Sequence, residues 1–447
     1  MATVFEQAKE TWSLTRIRPQ VDNRSLFLAV CGDSGIGKTT LVDAIVDQYP
    51  ERFERPTSYT TRDRRLGELD NEYVFVNQSK FDSLRNNDKL MNDDHVFGNR
   101  YGIDRAKFEN ILTNGRIPVK EMSIRNACAF RAQGLYVAIV YLKSSDNMLL
   151  REGRVQDSEN FQGMPMGDVR DVIYCPHREE PHIVAENVFR WIQGLILFDS
   201  LGILNSIANP EWDRFNQVGY DGIAVEFTDE FRVTTSYFHE VSKPFWGRIF
   251  TEKILRNGEY LEIGPGRGWL TTTFPWNEQA IYRGIDISEQ MIAYHPFSER
   301  VDVGSVDHLP YSSGRFDGVF GSLVDPLTTP NALIEVRRVL RRGGWFAFTI
   351  PAKEWAERLR DSENLQQTTF VRSDGCEFSV GSNCLRFDHI KPILVAGGFG
   401  QLSISSIELP LNRQSIAPPA IQSTLPLDGD AQGQLLRVIH TVMCHRT

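Results

Sequence analysis

One short segment constrains the fold of this chain more than any other: an apolar run followed at once by a glycine-rich loop. Leu26 to Cys31 is apolar throughout, as in a buried strand, and the loop Gly32 to Thr39 fits the pattern G-x-x-x-x-G-K-[ST]. A helix is predicted from Thr39 to Tyr49 because apolar residues recur on one face. In such a unit, loop N–H groups and the helix N-terminus converge on a phosphate. The segment therefore predicts an α/β domain that binds a nucleoside triphosphate.

The loop and the first helical residues supply the groups expected to bind ATP. The Lys38 ammonium is placed to contact the β- and γ-phosphates and is a candidate catalytic group. The Thr39 hydroxyl is suited to Mg²⁺. The predicted ATP-binding set is Gly32, Ser34, Gly35, Gly37, Lys38, Thr39 and Thr40.

Short apolar runs alternate with helical patterns along two parts of the chain, which is typical of α/β layers. In the first part, a strand is predicted at Leu135 to Leu142 and a closing helix at Val184 to Phe198. In the second part, four parallel strands are predicted at Tyr260 to Ile263, Ile281 to Asp286, Gly318 to Ser322 and Trp345 to Ile350. We therefore expect an N-terminal extension (1–24), a first α/β domain (25–198), a connector and helical cap (199–250) and a second α/β domain (251–447).

Composition limits the partners and the compartment. The net charge of the 447 residues is −9, which disfavours nucleic acid as a partner. Residues 1–25 lack the apolar stretch of a signal peptide, and no run of about 18 apolar residues predicts a membrane span. The six cysteines form no C-x-x-C pair, as expected of free thiols. The sequence predicts a cytoplasmic protein.

Downstream of the loop, four further blocks follow in order. They are Ser58 to Arg65, Gly67-Glu68, Tyr73 to Val76 and Phe97 to Gly102. With these blocks the chain resembles guanylate kinase over about residues 25 to 198, and the resemblance implies a P-loop kinase fold. It also implies that the acceptor phosphate is bound by Ser58, Arg62, Arg65, Tyr73 and Tyr101. Two guanidinium groups and three hydroxyls suit an anion physically as well.

The resemblance continues into the lid of the kinase. It implies that Arg151 and Arg154 neutralise charge on the transferring phosphoryl group. Where the family continues a helix with another arginine, this chain has Gly163 to Gly167, and Pro165 would break that helix. Arg170 is a possible substitute.

The base-binding positions depart from the family. By alignment, the glutamate that binds guanine falls at Asn92, an aspartate falls at Ser123, and a serine or threonine falls at Ile103. The acid near the Mg²⁺ region is kept as Glu121, so Thr39 and Glu121 are the predicted metal ligands, and Asn92 and Glu121 join the acceptor-binding set. Asparagine offers one acceptor and one donor, whereas carboxylate accepts two protons of guanine. We expect GMP to be a poor acceptor and another phosphomonoester, a different nucleotide or a sugar phosphate, to replace it.

A second glycine loop lies in the C-terminal half. Tyr260 to Gly268 has the form E-x-G-x-G-x-G at a strand end, and Asp286 follows at the end of the next strand, where an acid suits a ribose diol. A nicotinamide-binding domain would show G-x-G-x-x-G. Further blocks are Leu309 to Tyr311, Phe316 to Val319, Val339 to Trp345 and Ala396 to Phe399.

Together these blocks resemble a class I methyltransferase, a Rossmann-like fold, over about residues 250 to 410. The resemblance implies S-adenosylmethionine as the methyl donor. The predicted binding set is Glu262, Gly264, Gly266, Gly268, Asp286, Ile287, Ser305 and Val306. Candidate bases are His239, His295 and His308. The aromatic residues Tyr237, Phe238 and Trp246 and the insertion 352–388 are expected to shape the acceptor pocket.

Three functions remain open from the sequence. The first is a bifunctional enzyme that phosphorylates a small phosphomonoester with ATP and methylates a small molecule with S-adenosylmethionine, both in one pathway. The second is a methyltransferase whose kinase-like domain only binds a nucleotide or a partner, although Lys38, Thr39, Arg62 and Arg65 favour an active kinase. The third is a true guanylate kinase fused to a methyltransferase.

Overall fold

The protein is described here by a computed structural model. It describes residues 26–33, 35–64, 72–96, 98–143, 172–176, 179–203, 212–228, 230–254, 257–359, 367–410 and 435–447. Several sequence predictions lie outside these residues: the N-terminal extension 1–24, Ser34, Arg65, Gly67-Glu68, Arg151, Arg154, the lid segment 163–167 and Arg170. The chain forms two compact units, of which the first reaches Glu186 and the second begins at Asn187.

The first unit is built on a five-stranded parallel sheet in the order β2-β7-β1-β8-β9. Its strands are β1 (Leu26–Gly32), β2 (Phe53–Glu54), β7 (Ile117–Glu121), β8 (Tyr136–Lys143) and β9 (Val172–Pro176). The helices that accompany it are α1 (Lys38–Gln48), α2 (Gln78–Asn86), α3 (Arg105–Thr113) and α4 (Ile124–Ala132). The predicted strand, loop and helix around residue 32 are therefore present, and β1 is buried along its whole length.

A smaller sheet of four strands, in the order β4-β3-β6-β5, completes the first unit. Its strands are β3 (Ser58–Thr60), β4 (Tyr73–Phe75), β5 (Asp94–Val96) and β6 (Asn99–Ile103). Strand β3 runs parallel to β4 and antiparallel to β6. Three of the acceptor-binding positions predicted from the sequence, Ser58, Tyr73 and Tyr101, lie on this sheet.

The second unit contains a seven-stranded sheet in the order β12-β11-β10-β13-β14-β18-β17. The strands are β10 (Glu259–Ile263), β11 (Ile281–Asp286), β12 (Val301–Val303), β13 (Phe316–Ser322), β14 (Leu340–Pro351), β17 (Phe399–Pro410) and β18 (Leu435–Arg446). The first five are parallel, and β18 is antiparallel to both of its neighbours. The strand order reverses between β10 and β13, and ligands of open α/β sheets bind at such a reversal.

Helices and one hairpin surround this sheet. The helices are α5 (Pro181–Ser200), α6 (Trp212–Ile223), α7 (Val233–Glu252), α8 (Trp269–Thr273), α9 (Glu289–Ile292), α10 (Pro330–Val339), α11 (Lys353–Leu359) and α12 (Phe387–Ala396). The hairpin joins β15 (Gln367–Val371) to β16 (Glu377–Gly381). Helices α6 and α7 occupy the predicted connector and cap, and α11 and the hairpin lie in the predicted insertion.

Helix α5 differs from its sequence prediction in one respect. The amphipathic pattern predicts a helix that closes the first domain at residue 198, and the helix is present. From Asn187 onward, however, it belongs to the second unit. Trp191 Nε1 donates to Asn331 Oδ1 at 2.7 Å, and Arg337 Nη1 donates to Asn187 Oδ1 at 2.7 Å. Helical periodicity shows that one face is buried but not which sheet buries it.

No helix in the part of the chain that the structure describes is long and apolar enough to cross a membrane.

Candidate functional sites

The first glycine loop lies between β1 and α1. Gly32, Gly35 and Gly37 have φ values of 135°, 87° and 98°, in the region that favours glycine. The Lys38 ammonium lies over the loop and donates to the carbonyls of Gly32 (2.5 Å) and Asp33 (2.8 Å). Thr39 and Thr40 are exposed on the first turn of α1. The backbone turn, the helix N-terminus and a nearby ammonium fit a bound triphosphate.

Four predicted acceptor-binding residues lie on or beside the small sheet. Ser58 on β3 is the direct neighbour of Tyr73 on β4, and Thr60 is the neighbour of Tyr101 on β6. The rings of Tyr73 and Tyr101 are 6.2 Å apart, and the Arg62 guanidinium lies 5.0 Å from the Tyr73 ring centroid. The sheet therefore brings together these hydroxyls and one guanidinium.

Glu121, at the end of β7, is surrounded by donors and cations. The Tyr73 hydroxyl donates to its Oε1 at 3.0 Å, and Arg55 Nη2 lies 3.5 Å from its Oε2. Burial raises the pKa of Glu121, but the Lys120 ammonium, the Arg55 guanidinium and the hydrogen bonds to the carboxylate together lower it below its ordinary value. Burial and Glu121 raise the pKa of Tyr73.

The surroundings of Glu121 also bear on its predicted role as a metal ligand. A carboxylate with two cations beside it has little charge left to compensate, so a direct bond to Mg²⁺ does not fit well. Among the described residues, no group of three His, Cys, Asp or Glu side chains could hold a metal ion. Thr39, exposed on the first turn of α1, stays the predicted Mg²⁺ ligand.

The three positions that depart from the guanylate kinase pattern have internal structural roles. Asn92 Oδ1 accepts from the backbone N–H of Ile103 at 2.9 Å. Ile103 is buried in the core of the first unit. Ser123 caps helix α4 by accepting from Asn126 N at 3.3 Å. In this arrangement none of them presents a free carboxylate or a free acceptor pair to a base.

The second glycine loop follows β10 at the reversal of the large sheet. Gly264 and Gly266 have φ values of 62° and 54°. These positive φ values favour glycine. At Gly264 a Cβ would also lie 2.8 Å from Val324 Cγ2, so a larger residue would require Val324 to move. Gly268 has a φ of 82° and is the residue immediately before helix α8. It does not line the cavity that opens beside this loop.

Asp286 ties the loop to the end of β11. Its Oδ2 accepts from Gly266 N at 2.8 Å, and its Oδ1 accepts from Ser288 N at 2.9 Å. Each oxygen keeps a lone pair for another donor, such as a ribose hydroxyl. Burial raises the pKa of Asp286 to about 6, against the backbone donors that lower it.

A cavity of about 710 Å³ opens beside this loop. Its volume is within the range of about 300–1,000 Å³ found for small-molecule sites. It is lined by seven of the eight predicted residues, namely Glu262, Gly264, Gly266, Asp286, Ile287, Ser305 and Val306. Asp307, which the sequence analysis did not select, also lines it.

Glu262 is held at the cavity by a buried network. Its Oε2 accepts from the Tyr282 hydroxyl at 2.9 Å, and that hydroxyl lies 3.3 Å from His295 Nε2. His295 Nδ1 accepts from Phe297 N, so a neutral ring carries its proton on Nε2 and can donate it to the Tyr282 hydroxyl oxygen. Burial raises the pKa of Glu262 to about 8 and lowers that of His295 to about 4. His295 is therefore a neutral member of this network.

The cavity also contains a cation that the sequence analysis missed. Arg232 immediately precedes helix α7, is 9% exposed and lines the cavity. Its Nη1 donates to Val371 O at 3.2 Å, whereas Nε and Nη2 are buried with no hydrogen-bond partner among the described residues. In the sequence, Arg232 is only a single arginine shortly before three hydroxyl residues, Thr234 to Ser236. Such a pattern is too common to indicate a binding site.

Only some of the predicted bases and aromatic residues line the cavity. His239 lines the cavity and stacks on Trp269 at 4.0 Å, and burial lowers its pKa to about 3. Phe238 also lines the cavity, packed at 4.9 Å against Trp355 of the insertion. Trp246 is instead fully buried in the core of the unit. His308 does not line this cavity.

Comparisons with known proteins agree with both units. The Guanylate kinase family model matches residues 24–172, and the Methyltransferase domain model matches residues 261–348. The guanylate kinase of Oleidesulfovibrio alaskensis is 30% identical over 176 residues, 38% of this chain and 84% of that protein. That of Rhodopseudomonas palustris (strain BisB5) is 42% identical over 97 residues, 22% of this chain and 44% of that protein.

The guanylate kinase of Chlamydia muridarum is 30% identical over 134 residues, 30% of this chain and 65% of that protein. The chain thus spans less than two thirds of the Chlamydia and Rhodopseudomonas proteins. Two solved structures are also similar. The guanylate kinase of Anaplasma phagocytophilum has a TM-score of 0.30, 20% identity and coverage of 37% of this chain and 82% of its own. A possible histamine N-methyltransferase of Thermotoga maritima has a TM-score of 0.34, 14% identity and coverage of 51% and 98%.

The family models and the curated relatives place domains of two transferase families in one chain. The chain belongs to the guanylate kinase family through its N-terminal domain and carries a methyltransferase domain at its C-terminus. Both families are transferases, and they imply the use of ATP and S-adenosylmethionine.

Proposed function

We propose that the protein is a bifunctional enzyme. The N-terminal domain transfers a phosphoryl group from ATP to a small phosphomonoester other than GMP. The C-terminal domain transfers a methyl group from S-adenosylmethionine to a small molecule. The replacement of a carboxylate by Asn92 carries the choice of acceptor, because asparagine has one acceptor atom where a carboxylate has two, and that atom already accepts from Ile103 N.

The kinase half acts through positioning and charge. The loop N–H groups and Lys38 would hold the triphosphate, with Mg²⁺ at Thr39. Ser58, Arg62 and Tyr101 would hold the acceptor phosphate on the small sheet. The Tyr73 hydroxyl already donates to Glu121, so Tyr73 contributes mainly by orienting that acid.

The methyltransferase half would hold its methyl donor along the cavity. Asp286 would hold the ribose hydroxyls, Ile287 would pack on the adenine, and Ser305 and Val306 would flank it. The buried Nε and Nη2 of Arg232 would suit the methionine carboxylate, and Glu262 would suit the ammonium of the same group. S-adenosylmethionine supplies an activated methyl group on a sulfonium. The protein orients the acceptor and excludes water around it.

His239 limits the chemistry of the methyl acceptor. A ring with a pKa of about 3 is neutral at physiological pH but removes protons poorly. An acceptor atom that attacks before it loses a proton, or that carries none, therefore fits His239 better than one that this ring would have to deprotonate.

The test is a transfer assay on the full chain. ATP labelled in the γ-phosphate, Mg²⁺ and a panel of nucleoside monophosphates and pentose phosphates are incubated with wild type and with K38A. We expect transfer to a member other than GMP, and a loss of about 100-fold or more in K38A. The acceptors and products are then supplied with methyl-labelled S-adenosylmethionine, and label is expected in one of them. GMP as the best acceptor, or no transfer to any member, would contradict the proposal.

A further inference from the structure

The first unit buries the ammonium group of Lys120, and none of the described residues accepts a hydrogen bond from it. Lys120 on β7 is 4% exposed, and its Nζ has no hydrogen-bond partner among the described residues. The nearest carboxylate oxygen in an ion pair is Glu121 Oε1, at 3.6 Å. The Nζ lies 4.5 Å from the centroid of the Tyr73 ring. An ammonium buried in this way is costly unless another group completes its bonding.

A second unpaired donor lies beside the same ring. The Ser58 hydroxyl is buried and has no hydrogen-bond partner among the residues described. Ser58 and Tyr73 are direct neighbours on strands β3 and β4, so their side chains leave the same face of the small sheet. Tyr73 thus has the Ser58 hydroxyl on one side and the Lys120 ammonium against its ring.

The ion pair with Glu121 does not satisfy the hydrogen-bond donors of the Lys120 ammonium. The carboxylate already accepts from the Tyr73 hydroxyl at 3.0 Å and pairs with Arg55 at 3.5 Å. Arg55 is itself fixed by Asp43 and Glu72, each at 3.0 Å. The acid therefore keeps a hydrogen-bond donor and a cation when Lys120 is removed.

Resting on the proposed kinase function, we propose that Lys120 and Ser58 form a subsite that binds the phosphate of the acceptor. Phosphate oxygens only accept hydrogen bonds, which is what two unpaired donors require. Lys120 adds a cation to Arg62 at this place, so the subsite favours a dianionic phosphomonoester. Lys120 is a binding residue that the sequence patterns do not indicate.

The test uses K120M in the full chain, with K107M as the matched control because Lys107 is exposed on α3. The probe is inorganic phosphate, titrated by calorimetry with Mg²⁺ and adenylyl imidodiphosphate present to fill the Lys38 loop. We expect K120M to weaken phosphate binding about tenfold or more and K107M to leave it within about twofold. S58A is expected to weaken it a few-fold. Unchanged phosphate binding in K120M overturns the proposal.

Two further readings separate the alternatives. The Tm of ligand-free K120M should equal or exceed that of wild type, because the variant removes a buried ammonium that makes no hydrogen bond to the described residues, and Glu121 keeps Tyr73 and Arg55. A Tm below that of wild type, or a failure to fold, assigns Lys120 to the structure and overturns the proposal. Adenylyl imidodiphosphate should bind K120M as it binds wild type, and a loss there would assign the ammonium to ATP instead.

These readouts need no turnover. A chain that transfers no phosphoryl group can still show the predicted phosphate binding, whereas an active kinase can fail this test alone.

Discussion

Glu262 and Asp286 are two acids buried beside the second glycine loop. Burial raises their pKa values to about 8 and about 6. A raised pKa means that the folded, ligand-free protein holds these protons more tightly than the unfolded chain does. Their contribution to the free energy of unfolding therefore falls as the pH rises from about 4 to about 8.

Binding of S-adenosylmethionine should depend on pH in the opposite direction. On the proposed assignment, the ligand ammonium favours ionised Glu262, and the ribose favours ionised Asp286. The affinity should rise between about pH 6 and pH 8, with release of a proton near pH 7. Calorimetry at pH 7 in two buffers of different ionisation enthalpy measures that proton. The E262Q variant should release less, and equal release from both proteins would contradict the assignment.

At the scale of elements, two glycines of the second unit differ in what surrounds them. In β13, a Cβ on Gly318 would lie 2.2 Å from the Trp345 ring, whereas in α7 a Cβ on Gly247 would meet only Phe274 at 3.7 Å. We expect G318A to lower the free energy of unfolding by about 1–3 kcal/mol through overpacking. We expect G247A to raise it by about 0.5–1 kcal/mol through helix propensity. Urea unfolding of both variants measures this, and equal effects would contradict the packing described for β13.

The elements also show what the sequence could predict. Apolar runs and helical periodicity predict strands such as β1 and β8, because burial on both faces determines their composition. The same patterns cannot assign α5 to the second unit, since an apolar helix face does not specify its partner. Motif spacing likewise places Asp286 beside the loop. It cannot find Arg232 or Lys120, whose importance lies in buried N–H donors that meet no acceptor among the described residues, and that is visible only when the neighbours are known.

At the scale of the whole molecule, the account requires two separate ligand sites in one polypeptide. Each site is built from residues of a single unit: the Lys38 loop from the first, and the Arg232 cavity from the second. Substitutions in one unit should therefore leave ligand binding by the other unit intact.

The most direct measurement is calorimetric titration of one preparation of the full chain, first with ATP and Mg²⁺ and then with S-adenosylmethionine. We predict one site for each ligand. K38A should lose only ATP binding, and R232M should weaken only S-adenosylmethionine binding, by about tenfold or more. R248M, altered at an exposed residue of the same helix, should bind both ligands as wild type does. Failure of wild type to bind either ligand, or loss of both through one substitution, would contradict the account.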